Sequence, residues 1–94
     1  MRSTQIRLSG ECDISSSEAL SELFAPLAGC DEVVIDMSDV SYIDSVAIRC
    51  FVRLRNEMKQ RTADPVIRLE HVTPGVRRIL EITRLDRMLQ ITSE

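Results

Sequence analysis

Aromatic side chains are nearly missing from this 94-residue chain, which has no Trp, one Tyr (Tyr42) and two Phe (Phe24 and Phe51). The interior must therefore be aliphatic, built from Ile, Leu, Val and Met. Only three glycines occur. Neither Gly-x-x-x-x-Gly-Lys nor Gly-x-Gly-x-x-Gly is found, which excludes the usual phosphate cradles. Three cysteines, Cys12, Cys30 and Cys50, stand far apart with no Cys-x-x-Cys. That argues against a disulfide framework or a metal site and for reduced thiols packed as small hydrophobes. No apolar run nears the roughly 20 residues of a membrane span. Residues 1–5 lack the apolar stretch of a signal peptide. A cytoplasmic protein without membrane insertion is expected. Positive charge is short: 12 Lys and Arg against 15 Asp and Glu leave a net charge of −3. That disfavours nucleic acid and anionic lipid as partners.

The length suits one domain over residues 1–94. Alternating residues 5–9 predict a strand ended by Gly10. Ser15 with Glu18 makes a capping box. Leu20, Leu23, Phe24 and Leu27 then form one helical stripe, stopped near Pro26 and Gly29. Residues 32–37 predict a second strand, and the run Val33-Val34-Ile35 suggests burial on both faces. A helix is predicted from about 45 to 60, with Asp44 or Ser45 as its cap. Ala47, Phe51, Leu54 and Met58 lie inward, with Ile48 and Val52 widening the stripe. Arg49, Arg53, Asn56 and Gln60 form the wet face. Residues 66–69 predict a third strand. Thr73 caps a short helix with Pro74 in its first position and Val76, Ile79 and Leu80 inward. Residues 89–91 predict a last strand. This order implies an α/β fold, a mostly parallel small sheet with about three helices joined by right-handed crossovers.

Chemistry concentrates between the second strand and the second helix. There, Val33-Val34-Ile35-Asp36-Met37-Ser38-Asp39-Val40-Ser41-Tyr42-Ile43-Asp44-Ser45 runs from a β-branched segment through a polar loop. Asp44 and Ser45 are not a base and nucleophile, because adjacent helical side chains do not face each other. The single histidine, His71, ends a strand and reads as a surface imidazole. No hydrolytic, redox or cofactor chemistry is indicated, and no enzyme is expected. Asp36, Asp39 and Asp44 fit no cation loop. The preferred reading has Asp36 and Ser38 making turn hydrogen bonds and Asp44 capping a helix. Ser45 has two readings, a plain cap or a phosphorylation site. A phosphoserine at a helix start is tolerated by the dipole and repels an acidic partner.

The chain resembles STAS domains, found in sulphate-transporter tails and bacterial anti-sigma-factor antagonists. The segment Val34 to Ser45 is similar to the family's Asp-Leu-Ser-x-Val-x-Phe-Met-Asp-Ser. Leu8-Ser9-Gly10-Glu11-Cys12-Asp13 resembles its Leu-x-Gly-Glu-Leu-Asp turn, and residues 73–80 followed by Leu85 resemble its last helix. The resemblance implies that Ser45 is the phospho-acceptor of an anti-sigma-factor antagonist. A serine-kinase anti-sigma partner would dock on Asp13, Asp44, Ser45, Val46 and Arg49, with Asp36 and Ser38 shaping the loop. ATP would belong to the partner.

The pattern departs from the family in three ways. Ala47 replaces the usual glycine after Asp-Ser-x. Arg49 stands where another glycine is common, one turn beyond Ser45, where it can pair with a phosphate or crowd a kinase. The family's usual first strand and C-terminal helix are expected to be lacking, which predicts an uncovered apolar face and either self-association into a homo-oligomer or a stable partner. The competing function is a STAS subunit that binds and stabilises the ATPase of a bacterial lipid-transport system, with an unmodified Ser45.

Overall fold

A computed structural model describes residues 2–9 and 17–93. Seven parts of the chain carry the fold. Strand β1 spans Ser3–Ser9, helix α1 Ser17–Phe24, strand β2 Glu32–Asp39, helix α2 Ser45–Lys59, strand β3 Val66–Val72, helix α3 Pro74–Ile82 and strand β4 Gln90–Ser93. Short 3₁₀ turns follow α1 at Ala25–Gly29 and α3 at Leu85–Arg87. The capping box at Ser15 and the turn at Gly10 to Asp13 lie outside the described residues. Pro26 explains why α1 gives way so early. Its ring and missing N–H cannot continue an α-helix but suit the first turn of the 3₁₀ segment.

The four strands lie side by side in chain order, and every pair is parallel. With that order, right-handed crossovers place all the helices on one face of the sheet. Burial agrees. On β2, Val33, Ile35 and Met37 are buried while Glu32, Val34 and Asp36 are only half-buried. The expected burial of Val34 on both faces is therefore corrected: a continuous apolar run does not tell a one-sided strand from a two-sided one. The register sorts the rows. Ile6, Ile35, Leu69 and Ile91 line up on the helix side. Gln5, Val34, Arg68 and Gln90 line up on the open side, as do Arg7, Asp36 and Glu70.

The open face is thus polar. Arg68 reaches Glu32 at 3.6 Å and donates from Nε to Gln90 Oε1 at 3.4 Å, and Arg7 pairs with Asp39 at 2.7 Å. Exposed pairs of this kind contribute little stability, at most about 1 kcal/mol each, but they let the face meet water. Among the described residues, the open side of the sheet is therefore not the uncovered apolar face that was expected.

The core is aliphatic as the composition requires. Phe51, at 1 % exposed, is its largest fully buried side chain. It packs on Phe24 with ring centroids 5.6 Å apart, tying α1 to α2. All four residues assigned inward on α2, Ala47, Phe51, Leu54 and Met58, are buried. Leu23 departs from its expected stripe and is 39 % exposed. On α3, Val76 and Leu80 are buried while Ile79 is half-buried. Cys30 is buried and Cys50 half-buried, both free thiols; Cys12 lies outside the described residues.

Two bulges shape the ends of the sheet nearest the α-helix starts. Between the Arg7–Asp36 and Ser9–Asp39 pairs, β2 carries one residue more than β1. Between Leu69–Ile91 and Val72–Ser93, β3 carries one more than β4. In the second, exposed His71 adopts φ 58°. The extra residue resets the alternation, so Val72 returns to the core at 3 % exposed.

Candidate functional site

The β2–α2 connection is built from its backbone hydrogen bonds outward. Beside the bulge, Asp36 Oδ1 accepts from the Ser38 N–H at 2.9 Å. The Val40 N–H then donates to the Met37 carbonyl at 3.0 Å and turns the chain. Val40 and Ile43 are buried and pin the loop to the core, while Ser41 and Tyr42 between them stay exposed. Asp36 and Ser38 therefore shape the loop by the turn hydrogen bond anticipated for them, although Asp36 itself lies within β2. The Ser38 N–H, then the Ser38 side chain and more weakly His71 and Arg7, hold the Asp36 carboxyl below the usual carboxylate range.

At the end of the loop Asp44, half-buried and in extended backbone, is the N-cap of α2. Its Oδ1 accepts from the N–H groups of Val46 at 3.0 Å and Ala47 at 3.2 Å. Its carbonyl accepts from the Ile48 N–H at 3.0 Å. The alternative left open in the sequence is thereby resolved. Asp44 caps, and Ser45 is the first residue of the helix, exposed, with no capping work for its hydroxyl. Val46 beside it is half-buried and Arg49, one turn on, is exposed. Asp13 lies outside the described residues, so its position relative to Ser45 stays an expectation.

Sequence reasoning passed over Tyr42. The chain's one tyrosine is 47 % exposed three residues before Ser45, and its signal was an aromatic residue inside an otherwise polar loop. Large, part-apolar side chains at a surface are favoured anchors for protein partners. Thr73 runs the other way. It occupies the N-cap position of α3, but its side chain makes no capping bond, and its Oγ1 is buried without a partner. The expected cap is absent; Pro74 removes one of the first-turn N–H donors such a cap would serve.

Among the described residues, no three His, Cys, Asp or Glu side chains gather as a metal site needs. Likewise none of their helices is long and apolar enough to cross a membrane. What the corner offers is an uncommitted hydroxyl, a flanking carboxylate, an arginine and an exposed aromatic ring.

Comparison with known proteins places this arrangement. Residues 1–90 match the family model described as "Mlab, STAS domain". The chain is 32 % identical over 92 residues to the anti-sigma-B factor antagonist of Bacillus subtilis (strain 168), covering 96 % of this chain and 82 % of that one. Among solved structures, it superposes on an anti-sigma factor antagonist from Mycobacterium paratuberculosis with a TM-score of 0.80. That match has 21 % identity and covers 95 % of this chain and 76 % of the other. The anti-sigma factor antagonist SpoIIAA in its unphosphorylated form gives 0.79 at 19 % identity, over 100 % and 84 % of the two chains; SpoIIAA has been solved phosphorylated as well. At such identities the structural matches speak for the fold, and the family assignment rests on the profile and the Bacillus relative. This chain belongs to the STAS domain family, and within it to the anti-sigma-factor-antagonist type.

Proposed function

We propose that the protein is an anti-sigma-factor antagonist whose binding to a serine-kinase anti-sigma partner is switched by phosphorylation of Ser45. The observation that carries this reading is the division of labour at the start of α2. Asp44 meets the capping need, so the Ser45 hydroxyl is exposed and free for another protein. In the reaction, the terminal phosphoryl group of the partner's ATP passes to Ser45 Oγ. The bond to ADP breaks, the O–P bond forms and the hydroxyl proton is released. The product adds about 1.5 to 2 negative charges beside Asp44, enough to repel an acidic docking surface. Asp44, Val46 and Arg49 flank the contact, the family resemblance adds Asp13 to it, and Tyr42 supplies the ring that anchors it. The SpoIIAA neighbour, solved both unphosphorylated and phosphorylated, supports the idea that this fold carries such a switch.

The test is incubation of the full chain with its cognate kinase and ATP, followed by intact-mass and peptide analysis. A single phosphate at Ser45 is expected. Ser45→Ala should hold the kinase without release, and Ser45→Asp should bind it weakly. A chain that takes no phosphate, or takes it elsewhere, refutes the switch.

The competitor is the stabilising subunit of a lipid-transport ATPase. It is favoured by one observation, that the matching family model is described by the name Mlab rather than as an antagonist. Stoichiometric co-purification with a transport ATPase, Ser45 unmodified, would select that reading.

A further inference from the structure

Along the exposed side of α2, Ser45, Arg49 and Arg53 follow one another at one-turn spacing. Arg53 is occupied, its Nε lying 3.6 Å from Glu57 Oε2. Arg49, between Arg53 and Ser45, has no anionic partner among the described residues and stands four residues from a like charge. Side chains so spaced have Cβ atoms about 5–6 Å apart, within reach of a guanidinium.

Consider what a phosphate on Ser45 would find there. The N–H groups of Val46 and Ala47 are already taken by Asp44 Oδ1, and that of Ile48 by the Asp44 carbonyl. The helix start thus offers few free amides and presents a carboxylate instead. Arg49 is the donor on the same side, with the anion N-terminal to the cation, the favourable sense along a helix. Its planar fork matches two phosphate oxygens at once.

We propose that Arg49 folds back onto the phosphate of phosphorylated Ser45 as its internal counter-ion; the inference rests on Ser45 being the phospho-acceptor. Phosphorylation then changes the corner twice. It adds an anion and withdraws a cation from the docking surface, and it gives Arg49 an anionic partner on the side away from Arg53, which Glu57 already neutralises.

The experiment uses the full chain with phosphoserine inserted at position 45 during translation, so that it needs no kinase. A ³¹P NMR titration at low salt reads the second ionisation of the phosphate. In the parent chain its midpoint should lie about 0.3 units lower than in Arg49→Gln. Arg49→Lys should fall between them, keeping the charge without the fork. Arg53→Gln, which removes the same charge one turn further away, should move the midpoint far less. Equal midpoints for the parent and Arg49→Gln overturn the clamp. So do equal shifts for Arg49→Gln and Arg53→Gln, which would reduce the effect to general charge. Thermal melts of the unphosphorylated chains check that all the variants fold. Failure here leaves the kinase reaction untouched, and failure of the kinase reaction leaves this titration interpretable.

Discussion

Thr73 shows how one side chain can look the same in sequence and mean the opposite in structure. A Thr ahead of Pro and an apolar stripe reads as a helix cap, and removing a cap typically costs about 1 kcal/mol. Here its Oγ1 is buried and bonds to nothing, while only its carbonyl serves α3, accepting from the Arg77 N–H at 2.8 Å. A buried hydroxyl without a partner carries its desolvation penalty uncompensated. Thr73→Val keeps the shape and suits the extended backbone at φ −70° and ψ 156°. It should stabilise the protein by about 1 kcal/mol, read as a rise in the urea midpoint at unchanged slope. A fall of the same size would restore the cap. Tyr42 escaped notice for a related reason. Helical periodicity marks Phe24 and Phe51 as inward, and both are buried; Tyr42 sits in a loop, where no period applies. Whether its ring is buried depends on which neighbours are pinned, and here Val40 and Ile43 take the buried places.

At the scale of elements, α2 was the most legible part of the chain. Its inward stripe and its start were both readable, because a 3.6-residue period over fifteen residues leaves little freedom. What the period could not decide was whether Asp44 or Ser45 caps, since both are good caps. The choice fixes what Ser45 is free to do. Asp44→Ala should cost about 1 kcal/mol of stability. Asp44→Asn, which caps as well, should cost only a few tenths. Chemical denaturation of the two variants separates the hydrogen bonds from the charge; equal losses would mean that the carboxylate's charge, not its capping, supports the helix start. The bulges were illegible for a different reason. Nothing in Glu70-His71-Val72 announces a residue at positive φ, because the requirement comes from returning Val72 to the core beside β4. The sidedness of the sheet was equally hidden in Val33-Val34-Ile35. It became plain only when Val34 was seen in one row with Gln5, Arg68 and Gln90.

The whole molecule is held at its end opposite the Ser45 corner by a residue that no motif pointed to. Asp31 joins three parts of the chain. Its Oδ2 accepts from the Arg2 N–H ahead of β1 at 2.8 Å, and its Oδ1 from the Thr62 hydroxyl at 2.5 Å in the α2–β3 loop. Its own N–H donates to the Arg2 carbonyl at 2.7 Å, and its carbonyl accepts from the Val66 N–H at 3.1 Å, where β3 begins. The Thr62 bond first, then that of Arg2, holds the Asp31 carboxyl below its ordinary value. Asp36 is lowered too, at the other end of β2. The sign of the linkage follows. A carboxylate whose folded value is depressed contributes stability that is present above its unfolded value, near 3.9, and is lost as pH falls through the folded one. Both groups are open to solvent, so the effect is confined to acid and softened by salt. Urea midpoints of the parent and of Asp31→Asn should therefore differ at neutral pH, with the variant less stable, and converge as the pH falls through the depressed folded-state value. Asp36→Asn should behave likewise, and the double variant should have the flattest acid limb of all. If the curves instead run parallel from neutral pH into acid, the carboxylate charge is not what ties β1, β2 and the α2–β3 loop together.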